Sequence, residues 1–265
     1  MSSITLHPGE EIRFLETKPV PAPGSFSDRR TSRWLGRVTV ALVVGPIVVG
    51  IAFGIIDSDR EMRRKQCSDR LTSIGLALHK YHDIHGHFPA PAVLHSGSSP
   101  LLSWRVAILP YLGYQSLYER FRLDEPWDSV HNRALIAEMP REFACPAGPA
   151  RATGQTAYQV VVGPTNDSYS INTPFDSTRG VDLREITDGT SNTVLVFEAD
   201  TRVPWTKPDD LGWSPKGPLP RLAGNHAGGT HVLLADGRTR FLRSTTEPEL
   251  LRAILTINGG EVNSA

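Results

Sequence analysis

Two cysteines, nine histidines and a set of carboxylates placed in turns are the residues through which this chain could do chemistry. Cys67 lies in Gln66-Cys67-Ser68-Asp69 and Cys145 in Phe143-Ala144-Cys145-Pro146. In an oxidising compartment the pair is a candidate disulfide tying a helix to a loop, and otherwise the two are unrelated buried thiols. His79, His82 and His85 stand at i, i+3 and i+6 with His87 just beyond, so His79 and His82 share a helix face. Imidazoles so spaced can hold a transition metal. Hydrogen bonding to an overlying sheet is the simpler account and is preferred, because helical spacing alone is a weak signal.

Asp188, Glu198, Asp209, Asp210 and Asp236 sit in turns or at strand ends beside Gly, Asn and Thr. Hard oxygen donors on loops suit Ca²⁺, which makes Asp188, Asp209, Asp210 and Asp236 candidate metal ligands. No dense D-x-D-x-D-G loop is present, however, and Asp188-Gly189-Thr190-Ser191-Asn192 also works as a plain turn. Two aromatic-polar loops, Trp127-Asp128 and Trp205-Thr206-Lys207-Pro208-Asp209, offer ring faces beside charges, as sugar and peptide sites do. Trp127, Asp128, Trp205, Lys207 and Asp209 are therefore candidate ligand-binding residues. The plainer alternative has each Trp stapling a long loop to the domain. There is no Gly-x-Ser-x-Gly elbow, no His-Glu-x-x-His and no phosphate loop, and the trio Ser191, His226 and Asp236 is of a kind that any chain this long contains by chance. The expectation is a protein without catalysis.

The elements that position these residues begin with a greasy stretch. Val38–Ile56 has no charged residue, and nineteen helical residues span roughly 28 Å, close to a bilayer's hydrocarbon thickness. Arg29, Arg30, Arg33 and Arg37 precede it, as in a secretory signal, yet the run is longer than an ordinary signal core. No small-x-small cleavage site stands before Asp57, so an uncleaved anchor is expected. Basic residues are as frequent after the run (Arg60, Arg63, Arg64, Lys65, Arg70) as before it, so the positive-inside rule gives no orientation. The expected division is a disordered cytoplasmic tail over 1–33, a transmembrane helix over 34–57 and one domain over 58–265. With 28 basic and 28 acidic residues and a pI near 7.1, nothing in the charge balance speaks for nucleic acid.

Beyond the anchor, Cys67, Leu71, Ile74, Leu78 and Tyr81 recur at spacings of four, three, four and three, the period of an amphipathic helix. Gly86 and Pro89 stop it. Short helices are expected over Trp104–Leu112, Gln115–Phe121 and Ser129–Glu138, the last capped by Ser129. Strands follow over Ala157–Val162 and Thr193–Glu198, then a hairpin over Thr230–Leu242 turning at Asp236-Gly237, and a closing helix over Pro248–Leu255. This order is α+β, a long N-terminal helix, transmembrane then amphipathic, packed on an antiparallel sheet with long loops.

Several blocks resemble the DUF1559 (SBP_bac_10) family, a large paralogous planctomycete set. They include Gln66-Cys67, Ile74-Gly75-Leu76-Ala77-Leu78-His79-Lys80-Tyr81-His82, Gly86-His87-Phe88-Pro89 and Ser103-Trp104-Arg105-Val106-Ala107-Ile108-Leu109-Pro110-Tyr111. Asp124–Ser129, Asp188–Thr193, Val203–Asp210, Gly224–Gly229 and Ala235–Gly237 add to them. The resemblance implies a pilin-like or type II secretion pseudopilin-like architecture, the helix anchored in the inner membrane with the N-terminus cytoplasmic and the domain periplasmic. Partners implied are the inner membrane and other pilin-like subunits or a secretion-type assembly, and pseudopilins of this architecture sometimes carry a calcium loop. Around Gly36-Arg37-Val38-Thr39-Val40 the family's prepilin peptidase motif is incomplete, lacking its Phe and its Glu. A permanently anchored, structural or interaction subunit is expected, with a membrane-tethered solute- or glycan-binding protein as the alternative.

Overall fold

A computed structural model describes residues 29–94, 100–149, 153–163, 173–176, 179–221 and 224–260, with side chains from Ile56 onward except at residues 93, 94, 100 and 176. Helix α1 (Arg29–His85) opens it. The chain divides into two units, Met1–Gly54 and Ile55–Ala265, and α1 contributes residues to each. The tail expected over 1–33 lies outside the described residues except for the start of α1, and so do the side chains of the apolar run up to residue 55. Among the described residues no helix is long and apolar enough to cross a membrane.

Within Ile55–Ala265 the stripe on α1 is buried as its period requires. Cys67, Leu71, Ile74 and Leu78 are fully buried, whereas Leu76 and Ile84, on the other face, are 61% and 68% exposed. Gly86, at φ +77°, ends the helix in the left-handed region that glycine enters without a Cβ clash. A two-stranded ribbon follows, β1 (Ala92–Leu94) with β2 (Pro100–Ser103), then α2 (Trp104–Ala107), α3 (Gln115–Tyr118) and α4 (Val130–Ala134). The helix expected over Trp104–Leu112 is broken into α2 and a 3₁₀ turn at Leu109–Leu112. Pro110 has no N–H with which to continue the α ladder. Ser129 caps α4 as expected, accepting from the Asn132 N–H at 3.1 Å.

The remaining elements are β3 (Gln155–Gln159), β4 (Val161–Gly163), β5 (Phe175–Asp176), β6 (Val194–Pro204), β7 (Leu211–Gly212), β8 (Gly229–Leu234), β9 (Thr239–Arg243) and α5 (Pro248–Ile254). A four-stranded sheet runs β3-β6-β8-β9 with every pairing antiparallel. The fold is α+β. A small parallel sheet, β5-β4-β7, stands apart. The run Ala157–Val162, read as one strand, is two, because Val160 donates its N–H to the Asp210 carboxylate at 3.0 Å. The β8–β9 hairpin turns where the sequence places it, with Gly237 at φ +83°.

Both faces of the sheet are covered, so its central strands read as near-continuous apolar runs. Leu195, Val196, Leu233 and Ala235 join the α1 stripe in the larger core. Val194, Phe197, Val232 and Leu234 point the other way, against Trp213, Ile254 and Leu255. On the α1 side the approach is close: a Cβ at Gly75 would lie 2.8 Å from a Leu233 methyl.

Leu78→Ala removes a fully buried side chain from this layer and is expected to lower the unfolding free energy by about 2–5 kcal/mol. Leu76→Ala, on the exposed face, should stay within about 0.5 kcal/mol. Urea denaturation of both variants checks the pair, and equal losses would mean that α1 is not packed by this face.

Candidate functional site

Four side chains from four parts of the chain meet beneath the sheet. Cys67 comes from the start of the α1 stripe and Cys145 from the loop after a 3₁₀ turn at Arg141–Phe143. Glu198 stands in the middle of β6, and His226 in the segment leading into β8. All four are buried, and their two sulfurs, one carboxylate oxygen and one imidazole nitrogen lie within 4.8 Å of one another. His226 Nε2 is 3.7 Å from Cys145 Sγ and 3.8 Å from Glu198 Oε2. Cys67 Sγ is 3.9 Å from that same oxygen.

Surrounding contacts hold these groups in place. Arginines of α1 grip the two loops: Arg63 donates to the Pro146 carbonyl at 3.2 Å, Arg70 to the Ala144 carbonyl, and Arg64 to the Ala227 carbonyl at 2.5 Å. Cys145 and His226 are thus fixed through their chain neighbours. Asn225 donates its N–H at 3.2 Å and its side-chain amide to Glu198 Oε1, leaving Oε2 turned to the cluster. Arg202 in turn donates to the Asn225 side-chain carbonyl. The Tyr158 hydroxyl is 3.1 Å from Cys67 Sγ. Gly224 lets the chain pass: a Cβ there would come within 2.7 Å of Glu198 Oε2.

Electrostatically the cluster is a concentration of ionisable groups buried away from solvent. A hydrogen bond from Cys67 holds the Cys145 thiol well below its ordinary range, with His226 and Glu198 adding to the effect. The same bond, with burial, pushes Cys67 far up. Burial, then the Cys145 charge, raises Glu198. Neighbouring His231, edge-on to His226 with ring centroids 5.0 Å apart, is pushed down to about 4, chiefly by burial. Two thiols side by side can form a disulfide, and two thiols with an imidazole and a carboxylate can hold a metal.

Residues 57–220, well over half of the chain, match the family described as "Protein of unknown function (DUF1559)". The chain belongs to the DUF1559 family. The match takes in Cys67, Cys145 and Glu198 and ends before His226. No curated protein and no solved structure matches the chain.

The sequence-derived candidates are distributed differently. Cys67 and Cys145 do meet, but as free thiols rather than a disulfide. Among the described residues Asp188, Asp209, Asp210 and Asp236 do not converge as metal ligands. Asp188 accepts from the Gly259 and Gly260 N–H groups at 2.7 and 3.0 Å, tying down the end of the described chain. Asp236 accepts from the Arg238 N–H inside the hairpin turn, and Asp209 pairs with Lys207 at 2.7 Å. Asp210 pairs with buried Arg105 at 2.7 Å and also accepts from Trp104 Nε1. Burial pulls the Arg105 guanidinium down and pushes the Asp210 carboxyl up, and their mutual attraction opposes both shifts.

Trp205 is fully buried, stacked on Phe143 and donating Nε1 to the Ile136 carbonyl, so it has no face to offer a solute. Trp127 is half-buried under the Lys207 ammonium, 5.7 Å from its ring centroid, while Asp128 is exposed. The loop-stapling account fits Trp205. The histidines of α1 are also spread among separate partners: His82 Nε2 accepts from the Leu183 N–H, and His85 meets the Tyr111 hydroxyl at 3.0 Å. Sequence reasoning did not assemble Glu198 and His226 with the cysteines. One signal was available, a lone carboxylate inside the apolar strand Val194-Leu195-Val196-Phe197-Glu198-Ala199.

Asp210→Ala strands the buried Arg105 guanidinium and is expected to destabilise the chain by about 3–5 kcal/mol. Asp209→Ala breaks only an exposed pair and should change stability by less than about 1 kcal/mol. Thermal or urea unfolding of the two variants distinguishes a structural counter-ion from its neighbour.

Proposed function

We propose that this protein is a single-pass, membrane-anchored, pilin-like subunit that acts by assembly or interaction rather than catalysis. The observation that carries the reading is the division of labour along one helix. The sequence of α1 is uncharged from Val38 to Ile56, and its later part presents a buried stripe to the antiparallel sheet. An apolar stretch of that length is suited to a bilayer, and a stripe of that period is suited to a soluble core. The domain then stands on the far side of the inner membrane from a cytoplasmic tail. Gly45, Gly50 and Gly54 are small residues of the kind that let lipid-embedded helices approach closely, so neighbouring copies or related subunits are natural partners. Membership of the DUF1559 family, described only as of unknown function, leaves the role to be tested.

A periplasm-dependent reporter fused after Ala265 should be active in cells, and the full chain should stay with membranes through alkaline extraction. A reporter active only in the cytoplasm, or a chain released by alkali, would overturn the anchored reading. In intact membranes chemical crosslinking should trap dimers or larger species, with Gly50→Leu reducing their yield several-fold. Monomers alone would sink the assembly reading.

A further inference from the structure

We infer that Cys67, Cys145, Glu198 and His226 form a closed, four-coordinate site for a divalent transition metal, zinc by its donor set. The proposal does not rest on the membrane reading. Its first support is spacing. Zinc bonds of about 2.3 Å to sulfur and about 2.0–2.2 Å to nitrogen or oxygen give tetrahedral edges of about 3.3–3.6 Å between nitrogen and oxygen and about 3.5–3.8 Å where sulfur takes part. Three of the six edges here are 3.7 Å for sulfur to nitrogen, 3.8 Å for nitrogen to oxygen and 3.9 Å for sulfur to oxygen, and no two of the four atoms are more than 4.8 Å apart, a cage slightly wider than a bound ion would draw it.

Nitrogen and oxygen at 3.8 Å are too far apart for a hydrogen bond, yet both are aimed into the same buried point. A disulfide would use the two sulfurs and leave that carboxylate and that imidazole only a long 3.8 Å ion pair with each other. An ion at the centre satisfies all four at once.

The second support is the ring of contacts behind the ligands. Metal-binding carboxylates are themselves oriented by outer hydrogen bonds. Glu198 has this arrangement, with Asn225 holding one oxygen and the other left for the centre. Charge also balances acceptably. On binding, both thiols release their protons to solvent, and the ion bonds two thiolates, one carboxylate oxygen and one neutral imidazole nitrogen. The resulting single negative charge sits among Arg63, Arg64, Arg70 and Arg202, all hydrogen-bonded to residues beside the ligands. Four protein ligands leave no open position for substrate, so the ion is structural: it ties α1, β6 and two loops together.

The full-length chain, purified under reducing conditions without chelator, should carry one zinc ion by elemental analysis. Replacing zinc by Co²⁺ should give the thiolate-to-metal charge-transfer band and the intense visible bands of a tetrahedral sulfur site. Cys67→Ser and His226→Ala should each reduce metal content at least tenfold, and Asn225→Ala should weaken affinity by about 10–100-fold. Ser191→Ala should retain the ion. A Cys67–Cys145 disulfide in non-reduced wild-type protein that lacks metal would overturn the proposal. So would wild-type metal content in both ligand variants. Should those variants not fold, the Co²⁺ spectrum of the wild-type chain decides alone, and absence of the charge-transfer band refutes the site.

Discussion

The buried face of α1 between Cys67 and Leu78 is the surface on which the rest of the domain is laid. Each of its apolar residues is fully covered, and the cover comes from chain segments far away in sequence: Tyr158 of β3, Leu195 and Val196 of β6, Leu233 of β8. Burial of side chains this size stabilises by about 1.5–3 kcal/mol each, so this one contact outweighs any single surface ion pair in the protein. Gly75 sets how close the sheet can come. The arginines on the flanks of the same helix then fix the loops on either side, and those loops carry Cys145 and His226.

Glu198 marks where that layer changes from oil to polar chemistry. A strand covered on both faces has no place for a free carboxylate, because desolvating the charge costs far more than a strand position gains. The structure resolves the conflict by surrounding Glu198 with donors from Asn225 and with the two thiols and the imidazole. Cys67, the first member of the stripe, is thus both a core residue and a member of the polar cluster. The helix packs and the cluster assembles through the same side chain.

A second buried polar pair lies one residue away from the cluster, since Tyr158 meets Cys67 through its hydroxyl and Arg105 through its carbonyl. Arg105 and Asp210 have almost no exposed surface, and together with Ser103, Trp104, Tyr158 and Val160 they form one hydrogen-bonded knot. That knot ends β3 early and turns the chain into the small parallel sheet. It also places Thr206 and Trp205 inward, since the Ser103 N–H donates to the Thr206 carbonyl and the Trp205 ring stacks on Phe143. Trp205, whose type and setting suit holding a ligand, is instead among the largest buried side chains.

By itself the sequence determined the local elements whose signals lie within a few residues of one another. The stripe from Cys67 to Leu78, the stop at Gly86, the Ser129 cap and the turn at Asp236-Gly237 all stand where period, cap and φ preference put them. Tertiary structure decided everything that depends on residues distant in sequence meeting in space. Val160 leaves its strand for a carboxylate 50 residues on. Cys67 meets Glu198 across 131 residues, and Cys145 meets His226 across 81. Spacing in sequence reports a helix face or a turn because the backbone there is regular. Across a sheet and two loops no such regularity connects position to place, and only the packed core brings the four donors to one point.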